Sequence, residues 1–100
     1  MKKVYVPCKG PHDYSPAEEF GEVIFLLEGT INRYNVSSIV RTFTEGTEDA
    51  SSDDYILISG LPLFNAILCG VLGRKFGSLN ILQYRKGAYV ERNIDIDALL

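Results

Sequence analysis

The stretch "DYILISGLPLFNAILCGVLGRKFGSLNILQYR", Asp54 to Arg85, constrains the fold more than any other part of the chain. It opens with a short β-branched apolar run and passes through Ser-Gly into a proline placed as a first helical residue. It then stays apolar for several turns and closes on Arg74-Lys75 and Gly77 before a second β-type run. Lysine and arginine in a last turn complement the negative end of a helix, and glycine supplies its left-handed cap. Two strands joined by such a helix form a βαβ unit, whose strands are parallel and whose crossover is right-handed. A parallel sheet follows.

The rest of the chain extends that sheet. "KKVYVP" alternates Val4 and Val6 with Lys3 and Tyr5, which predicts a first strand ended by Pro7. In "SPAEEFG", Ser15, Pro16 and Glu18 have the spacing of a capping box at the start of a one-turn helix that Gly21 stops. "EVIFLLEG" holds a continuous apolar run, Val23 to Leu27, the pattern of a strand covered on both faces, and is predicted as the central strand. Asn35 is placed to cap a helix whose apolar face is Val36, Ile39, Val40 and Phe43, with Gly46 near its end. The acidic, turn-rich "TEGTEDASSDD" is predicted to be a solvated and poorly ordered connection, "YRKGAYVERNI" a β-hairpin, and "DIDALL" a terminal turn or tail.

These elements predict one α/β domain over residues 1–100. It is a small three-layer sandwich, Rossmann-like or flavodoxin-like, with a mainly parallel sheet and an antiparallel C-terminal edge hairpin. The longest apolar run, Leu61 to Leu72, contains Pro62 and Asn65 and falls short of the ~20 residues a bilayer span needs. No secretory leader is recognisable at Met1, so the expected location is intracellular.

Charge narrows the function classes. A net charge of −3 and a pI near 5.0 remove the long-range attraction to phosphate on which non-specific nucleic-acid binding depends. Cys8 and Cys69 stand far apart, without a CxxC pair or a histidine at ligand spacing, so no metal and no cofactor is expected.

Ligands of open parallel sheets bind outside the carboxyl ends of the strands. The loops to inspect are "CKGPHDY" if the first strand is parallel to the others, then "EGTINRYN", "SGLP" and "YRKG". They carry Lys9, His12, Asp13, Tyr14, Glu28 and Arg85. The expected ligand-binding set is Thr30, Asn32, Arg33, Ser59, Gly60 and Asn65, with a free helix start at Pro62 available to a small anionic, nucleotide-like molecule. Against this, Pro62 lacks an N–H, Gly60 permits a tight turn in any case, and neither GxGxxG nor GxxxxGK[ST] is present. His12 and Asp13 are the candidate acid-base pair, although sequence neighbours seldom face each other. Cys8 near His12 is a candidate thiolate pair.

The helix from Pro62 to Phe76 is apolar almost all round, and Ala66, Gly70 and Gly73 offer close approach on one side. Something besides the sheet must cover it, either the neighbouring helix or a second copy of the chain, and a homo-oligomer through this helix is expected.

On "HDYSPAEEFGEVIFL", "YNVSSIVR" and "DYILISGLPLFNAILCGVLGRKFGSLNILQYRKGAYVERN", the chain resembles a group of short, mostly uncharacterised proteins encoded by tailed bacteriophages. The resemblance implies an accessory protein acting in the host cytoplasm on a host factor or a host signalling metabolite. Two other classes stand beside that non-enzymatic binding module: a small nucleotide-processing hydrolase using His12, Asp13 and Arg33, and a minor virion component.

Overall fold

The computed structural model of the chain describes residues 1–99. Five strands form one sheet, β1 (Lys3–Cys8), β2 (Glu22–Leu27), β3 (Tyr55–Leu57), β4 (Ser78–Arg85) and β5 (Ala88–Asp95), in the order β2-β1-β3-β4-β5. The first four are parallel where they pair, and β5 runs antiparallel to β4. The α/β architecture with an antiparallel edge hairpin is therefore the one the sequence predicts.

Helices α1 (Val36–Gly46) and α2 (Pro62–Phe76) lie on one face. There Ile39, Phe43, Phe64, Leu68 and Leu72 pack on Tyr5, Ile56, Leu79 and Ile81. The opposite face is covered by the 3₁₀ helix Ser15–Glu19 and its flanks, where Tyr14, Ala17 and Phe20 pack on Val4, Val6, Tyr55 and Leu57. The third layer is thin because a single 3₁₀ helix fills the β1–β2 crossover. Chain direction explains the split. The step from β1 to β2 moves one way along the sheet and the steps to β3 and β4 move the other, so right-handed crossovers deposit their helices on opposite faces.

Several local expectations are met. Asn35 Oδ1 accepts from Ser38 N–H and caps α1, and Gly77 closes α2 at φ 70°. The β4–β5 hairpin turns at Lys86 and Gly87, both with positive φ (51° and 89°), the pairing that matches strand twist.

Others are corrected. The apolar strand β2 lies at an edge, not at the centre, and β1 and β3 are the buried pair. Pro7 does not end β1 but sits inside it. A proline is tolerated there because β1 pairs with β3 only at Val4↔Tyr55 and Tyr5↔Ile56, β3 ends at Leu57, and the register with β2 skips position 7. No ladder bond is asked of position 7. The capping box does not form: Tyr14 occupies the cap position without a side-chain bond, and Asp13 Oδ1 instead accepts from Ser15 N–H. The acidic connection is tied down. Thr47 is buried and its hydroxyl donates to Phe43 O at 2.7 Å, Lys75 Nζ donates to Thr47 O and Glu48 O, and Asn80 Nδ2 donates to Ser52 O and Asp54 O. At the C-terminus, Asp97–Leu99 form a 3₁₀ turn, and Leu100 lies outside the described residues. Among the described residues no helix is long and apolar enough to cross a membrane.

Tyr5, 1% exposed, lies at the middle of this packing. Its phenol is pushed up from an ordinary value near 10 to about 12, first by burial and then by the carboxylates of Asp54, Asp49 and Glu22. A raised folded-state value means that the neutral phenol contributes stability below about pH 10, and that this contribution is lost as pH rises through about 12. The urea midpoint should accordingly fall between those values, and Tyr5→Phe should flatten the fall. An equally steep fall in the variant would assign it to other groups.

Candidate functional site

β1 leads away to β2 on one side while β3 leads to β4 on the other, so the topological switch point lies between β1 and β3. Their ladder ends at Tyr5↔Ile56, and beyond it the strands carry separate loops. A pocket of about 400 Å³ opens here, lined by His12, Asp13, Tyr14, Pro16, Leu57, Ile58, Ser59, Tyr84 and Tyr89. Because β1 is parallel to its neighbours, the loop carrying His12 reaches the same rim as Ser59.

Tyr14 anchors that rim. Its hydroxyl accepts from Gly10 N–H at 2.8 Å and shares a 3.3 Å hydrogen bond with Ser59 Oγ, joining the loops after β1 and β3. Its ring packs edge-on against Phe25 at 5.0 Å and against His12 at 6.1 Å. On the other wall, Tyr84 and Tyr89 are directly opposite residues of the hairpin and form a T-shaped pair at 5.5 Å. Burial, followed by the proximity of Tyr14, Tyr84 and Asp13, pushes the Tyr89 phenol up, so it remains a hydrogen-bond donor at neutral pH. The Ser15 N–H, with the Ser15 side chain, holds the Asp13 carboxyl below its usual range and keeps it ionised.

The candidate residues divide. His12, Asp13 and Ser59 line the pocket. Asn65 does not, because its amide is engaged by backbone: Oδ1 accepts from Ser59 N–H, and Nδ2 donates to Ser59 O and Leu61 O, each at 3.1 Å. Gly60 takes φ 76° to make the turn that this clamp holds. At the helix start, Pro62 has no N–H, and the Phe64 and Asn65 N–H groups are bonded to Leu61 O. The "SGLP" corner is thus a braced strand-to-helix turn whose contribution to the pocket is Ser59. Thr30, Asn32 and Arg33 belong to the loop after edge strand β2, beyond β1 from Ser59. Asn32 Oδ1 accepts from Tyr34 N–H, and the Arg33 guanidinium lies 5.5 Å from the Tyr34 ring centre. None of the three lines the pocket.

Residues 2–96 match the phage Pam3 gp32-like protein family. The chain belongs to that family. No curated protein and no solved structure matches it.

Among the described residues no hydrogen bond joins His12 to Asp13, whose Oδ1 is engaged by its own turn. Burial pushes the Cys8 thiol up, and its Sγ faces Lys9 O at 3.9 Å. Sequence reasoning missed Tyr84 and Tyr89. The available signal was the two-residue Lys86-Gly87 turn, which places the tyrosines flanking "RKGA" directly opposite each other.

Proposed function

We propose that this phage-encoded chain is a non-enzymatic accessory module that holds a small planar ligand, of nucleoside size and character, at the carboxyl-end rim of its sheet. The observation that carries the reading is the switch-point pocket, where three tyrosines and a histidine meet the Ser59 hydroxyl and the Asp13 carboxylate. Its volume of about 400 Å³ is at the smaller end of ligand pockets. Tyrosine rings offer stacking surface to a base, while hydroxyl and carboxylate oxygens accept from ribose hydroxyls.

The charge of the lining separates two forms of such a ligand. No lysine or arginine lines the pocket and an ionised Asp13 does, which supports a neutral ring system over the phosphate-bearing molecule that the sequence suggests. Titration of the isotope-labelled protein with adenosine, uridine and adenosine monophosphate tests this by amide shifts. The nucleosides should perturb residues 12–14, 59, 84 and 89, with the monophosphate at least several-fold weaker, and Tyr89→Ala should reduce nucleoside affinity on the order of tenfold. No perturbation at millimolar nucleoside would overturn the reading. Turnover of a probe that His12→Ala abolishes would replace it with the hydrolase.

A further inference from the structure

We propose that two copies of this chain pair antiparallel through β2, joining their sheets edge to edge into one continuous sheet. The two free edges of the sheet are built differently. β5 carries Glu91, Arg92, Asn93 and Asp95 along its exposed length, the charged character that keeps an edge from pairing. β2 has one charge, Glu22 at its first residue, followed by Val23, Ile24, Phe25, Leu26 and Leu27, all half-buried. It contains no proline, lysine or internal charge. A run of this kind suits a strand with neighbours on both sides, and the single chain supplies one, β1.

Backbone direction specifies what the second neighbour is. Glu22 N–H is bonded to Lys2 O on the β1 side. Strand alternation therefore turns the N–H and C=O of Val23, and of Phe25 two residues on, away from β1, in the array that a further strand would pair with. A second copy fits because β2 is self-complementary. A twofold axis perpendicular to the sheet keeps the faces matched: Ile24 and Leu26 on the helix face, Val23 and Phe25 on the Tyr14 face. With Ile24 opposite its own copy, Val23 lies opposite the second copy's Phe25 and exchanges main-chain bonds with it. Glu22 then meets the second copy's Leu26. Centring on Phe25 instead would set Glu22 against Glu28, a like-charge pair. The groove between α1 and α2, where Val40, Ile67, Gly70 and Val71 form an apolar floor, has no comparable feature that selects an occupant.

Native mass spectrometry with light scattering at tens of micromolar should show a dimer. Val23→Pro, which removes an outward N–H at an edge position where proline is tolerated, should give a monomer with unchanged circular dichroism. Ile24→Cys should oxidise to a covalent dimer, because directly opposite residues of a non-hydrogen-bonded pair lie about 4.5 Å apart at Cα, within disulfide reach. The same change at Ile58, exposed on the pocket rim, should not. This arm decides the matter if Val23→Pro fails to fold. A parent chain that is monomeric at 100 µM would overturn the proposal, as would a dimer that resists Val23→Pro but is broken by Gly70→Glu in the helix groove.

Discussion

Asn65→Ala is expected to lower stability by about 2–4 kcal/mol. The side chain is 9% exposed, and its three hydrogen bonds all go to backbone of the turn that carries Ser59. Truncation leaves Ser59 N–H without its acceptor and Ser59 O without its donor, at a side chain that is largely kept from water. Urea unfolding should report the loss as a lower midpoint at unchanged m, and the melting temperature should drop on the order of 10–20 °C. Asn65→Asp separates hydrogen bonding from packing. It keeps the acceptor for Ser59 N–H but faces two carbonyls with a carboxylate, so it should cost at least as much as alanine at neutral pH. If Asn65→Asp were nearly silent, the clamp would not be what holds the turn. Because Ser59 Oγ meets Tyr14 Oη on the pocket rim, both variants should also weaken nucleoside binding, and Asn65 would act there by positioning Ser59 without touching the ligand.

Sheet order decides which residues meet at that pocket, and sheet order is where the sequence is least informative. The βαβ unit, the span of α2 from Pro62 to Phe76, the Asn35 cap and the two-residue hairpin turn all follow from local chemistry: a proline, a glycine, an amide, a pair of positive-φ residues. Which strand lies beside which depends on pairings distant along the chain. An apolar run such as Val23–Leu27 reads the same at a sheet's centre and at an edge that a second chain covers. That ambiguity misplaced β2, and with it the loop of Thr30, Asn32 and Arg33, which the expected ligand-binding set joined to Ser59. That His12, Asp13 and Ser59 share one rim was legible because the carboxyl-end rule depends on strand direction alone, once β1 is parallel. Side-chain acceptors were the other blind spot. Nothing in the spacing of Asp13 or Asp54 says that each carboxylate will bond backbone N–H groups rather than solvent.

Asp54→Ala should cost about 2–3 kcal/mol for that reason. The residue ends the acidic connection, and its carboxylate bridges two main chains: Oδ1 accepts from Lys3 N–H at the start of β1 and Oδ2 from Ser51 N–H, both at 2.9 Å. Lys3 pairs with Glu22 of β2, so the carboxylate ties the entry of β3 to the strand that holds β2. Alanine leaves both N–H groups without an acceptor in a partly buried position, whereas Asp54→Asn keeps one acceptor oxygen and should lose about half as much. Asp53, exposed one residue earlier, provides the control: Asp53→Ala should stay within ~0.5 kcal/mol of the parent. Hydrogen exchange distinguishes this loss from a general one. The amides of Lys3 and Ser51 should exchange faster in Asp54→Ala by more than its global destabilisation, while those of α2 should follow the global change. Uniform acceleration throughout the chain would mean that the carboxylate supports the fold only through its charge. A silent Asp54→Ala would return the connection to the loose, solvated segment that its composition suggests.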